Sequence, residues 1–204
     1  MADETASGLP YPELPDANNP PADFKALAEA IDAIYGKSVA NVAALPATAA
    51  FKNQQIYVED IDTIVYYDES TAAWEGYWKN FTPTWANTTL GTGVTNQARY
   101  MKRGKLLVVW FNFIFGAGGA FTGVPTMSTP LTLATSENLD IGVVRMLDAS
   151  GPTRRHGSVQ IFTSTTVGFE LENATPIGVQ TSGTAPWTWT VSDALRGTYT
   201  AELA

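Results

Sequence analysis

The chain has no cysteine, and histidine occurs once, at His156. The first absence removes a disulfide framework and all thiol chemistry. The lone histidine lies in GPTRRHG (151–157), a stretch bounded by Gly and Pro with no carboxylate beside it to orient a general base. It reads as a surface-loop residue. Charge is also scarce, at 16% of residues, so the surface must be built largely from Thr, Ser, Asn and backbone. Long hydrophobic runs are missing too. The best, LLVVWFNFIFGAGGAF (106–121), is interrupted by Asn112 and by glycines, and is too short, too β-branched and too aromatic to span a bilayer. The start, MADETASGLPYPELPD, has no basic segment leading into an apolar stretch, so no signal peptide is expected. No HExxH, GxSxG, GxxxxGKS or GxGxxG pattern occurs. No catalytic residue, metal site or cofactor is therefore expected.

What is present favours β structure. The chain is 45% apolar and 11% aromatic, with 17 glycines and 12 prolines, a composition suited to a turn-rich fold with a real core. The net charge of −8 is uneven: residues 1–80 carry 13 acidic and 4 basic side chains, residues 81–204 carry 7 and 8. A nearly neutral, Thr-rich second part suits a glycan or another protein and suits a polyanion badly.

Residues 1–21 hold Pro10, Pro12, Pro15, Pro20 and Pro21. Each removes a backbone donor and restricts its neighbour, so this reads as an extended arm, with Leu9, Tyr11 and Leu14 available to dock on a partner. ADFKALAEAIDAIYG (22–36) reads as a helix capped by Asp23 and ended by Gly36. Its stripe of Phe24, Leu27, Ile31 and Ile34 is too short to stand alone in water and must be buried. Packing on its own domain is open; a short parallel bundle of several copies fits better. Residues 36–51 form an Ala-rich linker. Residues 53–80 read as a small β-meander with strands at 55–58, 63–67 and 73–78 and two acidic turns.

From 81 onward strands are expected at 84–90, 95–101, 105–115, 130–134, 140–147, 157–163, 166–172, 186–191 and 197–201, with FGAGGAFTG as a turn. Strands at this spacing imply an antiparallel β-sandwich, jelly-roll-like. In 106–115, Leu107, Val109, Phe111, Phe113 and Phe115 share one face; Leu106, Val108, Trp110, Asn112 and Ile114 share the other. Both faces are largely apolar, so one packs the core and the other needs a cover from a loop or a second subunit.

Three clusters were candidates for chemistry. Glu59, Asp60 and Asp62 offer carboxylates but lack the spaced ligands of a calcium loop, and read as a solvated turn. Arg99, Lys102, Arg103 and Lys105 read as a basic hairpin tip, either solvated or meeting the acidic front part of a neighbour. Trp85, Tyr100, Trp187, Trp189 and Tyr199 lie among threonines and either stack on a glycan or pack between sheets. For Trp187 and Trp189 packing is the preferred reading.

FTPTWANTTLGTGVTNQARYMKRGKLLVVWFNFIFG (81–116) resembles the opening of the β-rich C-terminal domain of tail-fibre-like and receptor-binding-like structural proteins of tailed bacteriophages, notably of actinobacterial hosts. Phe81, Pro83, Trp85, Leu90, Gly91, Gly93, Tyr100 and Gly104 carry the match. APWTWTVSDALRGTYTAELA (185–204) resembles that family's end through Pro186, Trp187, Trp189, Asp193, Gly197 and Tyr199. NQQIYVEDIDTIVYYDESTAAWEGY (53–77) and the arm-and-helix region look like its usual preceding units. The central AGGAFTGVPTMST is long for the pattern, and the chain has almost no shaft.

The resemblance implies a virion structural protein, often trimeric and without enzymatic activity. Its expected parts are an attachment arm (1–21), a helix and linker (22–49), a small β-meander (50–80) and a β-sandwich head (81–204). Residues 1–50 would bind a tail, neck or capsid protein, and the head would meet host-surface glycan. Neither nucleic acid nor membrane insertion is expected. A capsid head fibre or decoration protein is the alternative, and a polysaccharide depolymerase the last choice.

Overall fold

The computed structural model describes residues 3–4, 10–11, 38–49, 54–134, 139–151, 153–172 and 180–204. They belong to two compact units, Met1–Tyr77 and Trp78–Ala204.

In the first unit β1 (Asp3–Glu4) and β2 (Pro10–Tyr11) pair as a short antiparallel ribbon. A four-stranded sheet follows, in the order β3 (Ser38–Val39), β4 (Gln55–Val58), β5 (Thr63–Asp68) and β6 (Ala73–Glu75), with β3 parallel to β4. Strict alternation sends Ile56, Val58, Val65, Tyr67 and Trp74 to one buried face. Val39, Val42, Leu45 and Ala49 cover that face, and the Trp74 indole N–H donates to the Pro46 carbonyl at 2.7 Å. A bare meander is marginal in water; the segment 38–49 supplies its missing lid.

The second unit is one continuous antiparallel sheet. Its strands are β7 (Lys79–Phe81), β8 (Trp85–Thr89), β9 (Thr95–Arg103), β10 (Leu106–Ile114), β11 (Ala120–Ser128), β12 (Asp140–Leu147), β13 (Arg154–Thr163), β14 (Thr166–Leu171) and β15 (Ala194–Glu202). They are ordered β7-β9-β10-β15-β12-β13-β14-β11-β8. β7 and β8 are thus the two outer edges, yet only Thr82, Pro83 and Thr84 join them. On a flat sheet those edges would lie about 38 Å apart, at about 4.8 Å per strand step. Three residues reach no more than roughly 14 Å from end to end, so the sheet must curl until its edges approach. Trp85 of β8 accordingly packs on Phe113 of β10, with ring centres 4.4 Å apart, and its indole N–H donates to Asn96 Oδ1 of β9 at 3.0 Å.

The bend is built into the central strands. Gly197 and Gly157 fall on one row across the sheet, each beside Val144. A Cβ on Gly197 would lie 2.4 Å from the Val143 carbonyl oxygen, and one on Gly157 would lie 2.1 Å from that of Glu170. Side chains are excluded where the strands coil most closely. Register shifts at Asp140/Gly142, Ile161/Thr163 and Phe121/Thr126 add to the curvature. Inside lies a single core: Leu107, Val109, Phe111 and Phe113 along β10, and Phe115 just past its end, meet Phe121, Met127, Val159, Phe169, Trp189 and Leu195.

The expectation of a mainly β chain agrees with this architecture, but two parts of the expected fold are corrected. The jelly-roll-like sandwich is replaced by one curled sheet: β15 inserts between β10 and β12, so the hydrogen-bonded ladder never divides into two. The short oligomerising helix is not found among the described elements. Among the described residues there is no α-helix, only the 3-10 turns Val42–Ala44 and Glu59–Ile61. Residues 22–35, with Phe24, Leu27, Ile31 and Ile34, lie outside the described residues.

Two strand assignments also change. Ala120–Ser128, expected to begin in a Gly-rich turn, is a nine-residue strand in which Phe121, Pro125, Thr126 and Met127 are buried. Gly123 and Pro125 lie within its register shift, where a missing side chain and a missing donor are tolerated. Residues 186–191 make no strand, and 130–134 contribute only the isolated Leu133–Leu203 bridge.

Candidate binding cleft on the outer face of the curled sheet

The five aromatics singled out in the sequence are placed by packing. Trp189 and Tyr199 are 2% and 1% exposed, so neither ring has a face free for a ligand. Trp85 is sandwiched against Phe113 and Phe169, and Tyr100 meets Phe81 edge-on at 5.9 Å. Trp187 packs on Trp189 with ring centres 5.1 Å apart. Of their two suggested roles, the structural one is what this placement supports. Among the described residues the buried Trp187 indole N–H and Tyr199 hydroxyl have no hydrogen-bond partner. Burial holds the Tyr199 hydroxyl well above the ordinary tyrosine range.

Asp193, from the closing motif, is fully buried. Its carboxylate accepts from the Ala149 N–H at 2.8 Å and from the Thr190 N–H at 2.7 Å. It ties the turn after Trp189 to the β12–β13 connection, which is a structural role.

The acidic stretch 59–62 is a stapled turn. Glu59 Oε1 accepts from Ser38 at 2.8 Å, and Asp62 accepts from the Tyr57 hydroxyl. That hydrogen bond, with lesser contributions from desolvation and the nearby carboxylates, raises the Tyr57 pKa. Among the described residues no group of three His, Cys, Asp or Glu side chains could hold a metal ion. No helix of the described residues is long and apolar enough to cross a membrane.

The basic stretch is divided by the fold. Gly104 and Lys105 form the two-residue turn between β9 and β10, with Gly104 at φ 59. Lys102 turns inward and is buried. Arg99 is not at the tip at all. It stands midway along β9 on the outer face, directly opposite Trp110 of β10.

Arg99 anchors a cleft formed by the described residues. Asn80, Phe81, Thr82, Asn96, Gln97, Ala98, Arg99 and Trp110 line a space of about 520 Å³. It opens where β7 stops after Phe81 and the chain turns away to β8, leaving the start of β9 without a neighbour on that side. Asn96 braces this exit, donating to the Pro83 carbonyl at 2.8 Å while accepting from Trp85. The Arg99 guanidinium lies 4.8 Å from the ring centre of Trp78 and 5.2 Å from that of Trp110. Cation–π attraction to both rings holds the guanidinium in place. Among the described residues no carboxylate or hydrogen-bond acceptor takes its N–H groups. Trp78 is 41% exposed, and the amides of Asn80 and Gln97 flank the stack. The site thus combines aromatic faces, planar amides and a fixed cation with free donors. Such a surface suits flat or ring-shaped polar ligands.

Trp78, Asn80, Gln97 and Trp110 were not read from sequence as a site. The available signal was the outer face of 106–115, where a Trp and an Asn stand among aliphatic residues. It carried no hint that Arg99 and Trp78 would be their neighbours.

No protein-family model, curated protein or solved structure matches the chain.

Proposed function

We propose that this is a non-enzymatic virion structural protein of a tailed phage, tail-fibre-like, whose curled β head adsorbs to host-surface glycan. The observation that carries the binding role is the Arg99–Trp110 pair in an open cleft rimmed by amides, with Trp78 against the same guanidinium. The C–H faces of a sugar ring stack on indole, while guanidinium and amide groups hydrogen-bond its hydroxyls in pairs. The phage setting rests on the resemblance of 81–116 and 185–204 to tail-fibre-like proteins. In this reading residues 1–50 attach the protein to a tail, neck or capsid protein. Several copies, in a trimer, present their heads together, so that weak single contacts sum. No bond is made or broken at the cleft.

A capsid head fibre or decoration protein is the second reading. Its support is the exposed apolar face of the small sheet, where Ile64 and Tyr57 are 59% and 40% exposed, a surface suited to docking on a shell protein.

A panel of immobilised host-surface glycans, read by interferometry, tests the adsorption role. Trp110→Ala should abolish binding while the protein stays folded by circular dichroism. Binding that survives both Trp110→Ala and Trp78→Ala overturns the cleft. Image classes of labelled particles that place the protein on the capsid shell overturn the tail assignment.

A further inference from the structure

Beyond the cleft, the outer face carries a row of side chains whose arrangement repels itself. Gln97, Asn112, Arg196, Arg145 and His156 stand on β9, β10, β15, β12 and β13, each directly opposite the next. Arg196 and Arg145 are therefore cross-strand neighbours, with Cβ atoms about 5 Å apart by ordinary sheet geometry. Both are exposed. Arg196 Nε donates to Asn112 Oδ1 at 2.9 Å, which aims the guanidinium along the row. Their other register neighbours are Asn112 and His156; of the positions two residues along, Thr198, Val143, Ile114, Leu147 and Ser158 are apolar or neutral and Arg154 is a further cation. The nearest carboxylate on this row is Glu172, beyond His156.

Like charges directly opposite on adjacent strands destabilise a sheet. The chain has 20 acidic residues and only 12 basic ones, so pairing two arginines here without a carboxylate runs against its composition. A negatively charged ligand removes that repulsion. The row also continues into the cleft, because Trp110 and Arg99 occupy the adjoining row across β10 and β9. Arg99, Arg196 and Arg145 thus form one track of cations with an indole at one end.

We infer that the ligand of this face is an acidic saccharide, a linear polymer whose carboxylate or phosphate groups lie across the strands over Arg145 and Arg196 while a sugar ring stacks on Trp110. The inference rests on the glycan-binding reading above and narrows it. The bidentate donors of arginine match both anions. Val143, 62% exposed beside the row, is a dry contact for the sugar backbone.

The test uses the full chain in calorimetry against four probes: oligogalacturonate, its methyl ester, a phosphodiester-linked hexose oligomer and a single-stranded DNA oligonucleotide. At least one of the two acidic probes should bind about tenfold or more tightly than the methyl ester, and the acidic arms separate carboxylate from phosphate. The double variant Arg145→Gln/Arg196→Gln should erase that preference, weaken the salt dependence of binding, and unfold at no lower temperature than the parent. Arg145→Lys/Arg196→Lys, which keeps the charge, should retain most of the preference. Equal binding of the ester and the acidic probes, with loss on Trp110→Ala, overturns the acidic track and leaves the glycan cleft standing. Binding of no probe overturns the inference, and loss of neither glycan nor probe binding on Trp110→Ala separately overturns the cleft. DNA that competes on equal terms overturns it in favour of a nucleic acid. Self-association abolished by the double variant overturns it in favour of a second copy of the chain.

Discussion

The two faces of the curled sheet are made by the same strands and have opposite fates. Along β10 and just past its end the inner residues Leu107, Val109, Phe111, Phe113 and Phe115 are all buried to 2% exposure or less. One position away, Val108, Trp110, Asn112 and Ile114 remain partly open. A one-residue step reverses every side chain, so the register that closes the core also decides which residues are offered outside. Apolar character alone does not separate the faces. What separates them is company: the inner ring meets other rings, while Trp110 meets arginine.

This contrast can be broken from the inside first. Phe113→Ala removes a ring in contact with Trp85, Phe115 and Phe121 and should cost about 3–5 kcal/mol in urea unfolding. A loss below about 1 kcal/mol would mean that the rings do not form one packed core. Next comes the turn that closes the same core. Asp193→Ala strands the Ala149 and Thr190 N–H groups and should cost roughly 2–3 kcal/mol. Asp193→Asn, which keeps one acceptor, should recover part of that loss by the same measurement.

A smaller effect of opposite sign is expected at Tyr199. Its buried hydroxyl has no partner among the described residues, so Tyr199→Phe should stabilise the protein by up to about 1 kcal/mol. The hydroxyl's pKa is raised in the fold, so the neutral form is favoured there. Its contribution is fully present below the unfolded tyrosine pKa of about 10 and is lost as pH rises above it. The parent should therefore lose stability through that alkaline range more steeply than Tyr199→Phe. Parallel stability curves would remove this residue from the alkaline transition.

The outer face should respond least. Trp110→Ala is expected to shift stability by less than about 1 kcal/mol, since it loses one cation–π contact and some surface packing. A loss comparable to that of Phe113→Ala would show that the outer face is a second core and not a ligand surface.

Much of the inner face was legible. Alternation in 55–58 and 106–115 follows from a side-chain period of two, which holds in any sheet. The same rule placed Trp110 and Asn112 together on the other side. The strand at Ala120–Ser128 was not legible, because Gly123 and Pro125 punctuate it locally and only its partners β8 and β14 supply the ladder that holds it. His156 read as a loop residue from its Gly and Pro neighbours, yet it lies in β13 opposite Arg145. The basic tip failed for a similar reason. Arg99 and Lys102 are three residues apart, so they face opposite sides of a strand and belong to different environments.

By itself the sequence determined that the chain is mainly β, that β10 would carry an aromatic inner face, and that the chain offers no thiol and a single histidine. These follow from composition and from short-range periodicity, which need no partner. Only the tertiary structure decided that the strands form one curled sheet. It also set Arg145 of β12 beside Arg196 of β15, some fifty residues away in the chain. A nearly neutral module thereby acquires a cationic track, because cross-strand register, and not charge count, determines which charges stand together.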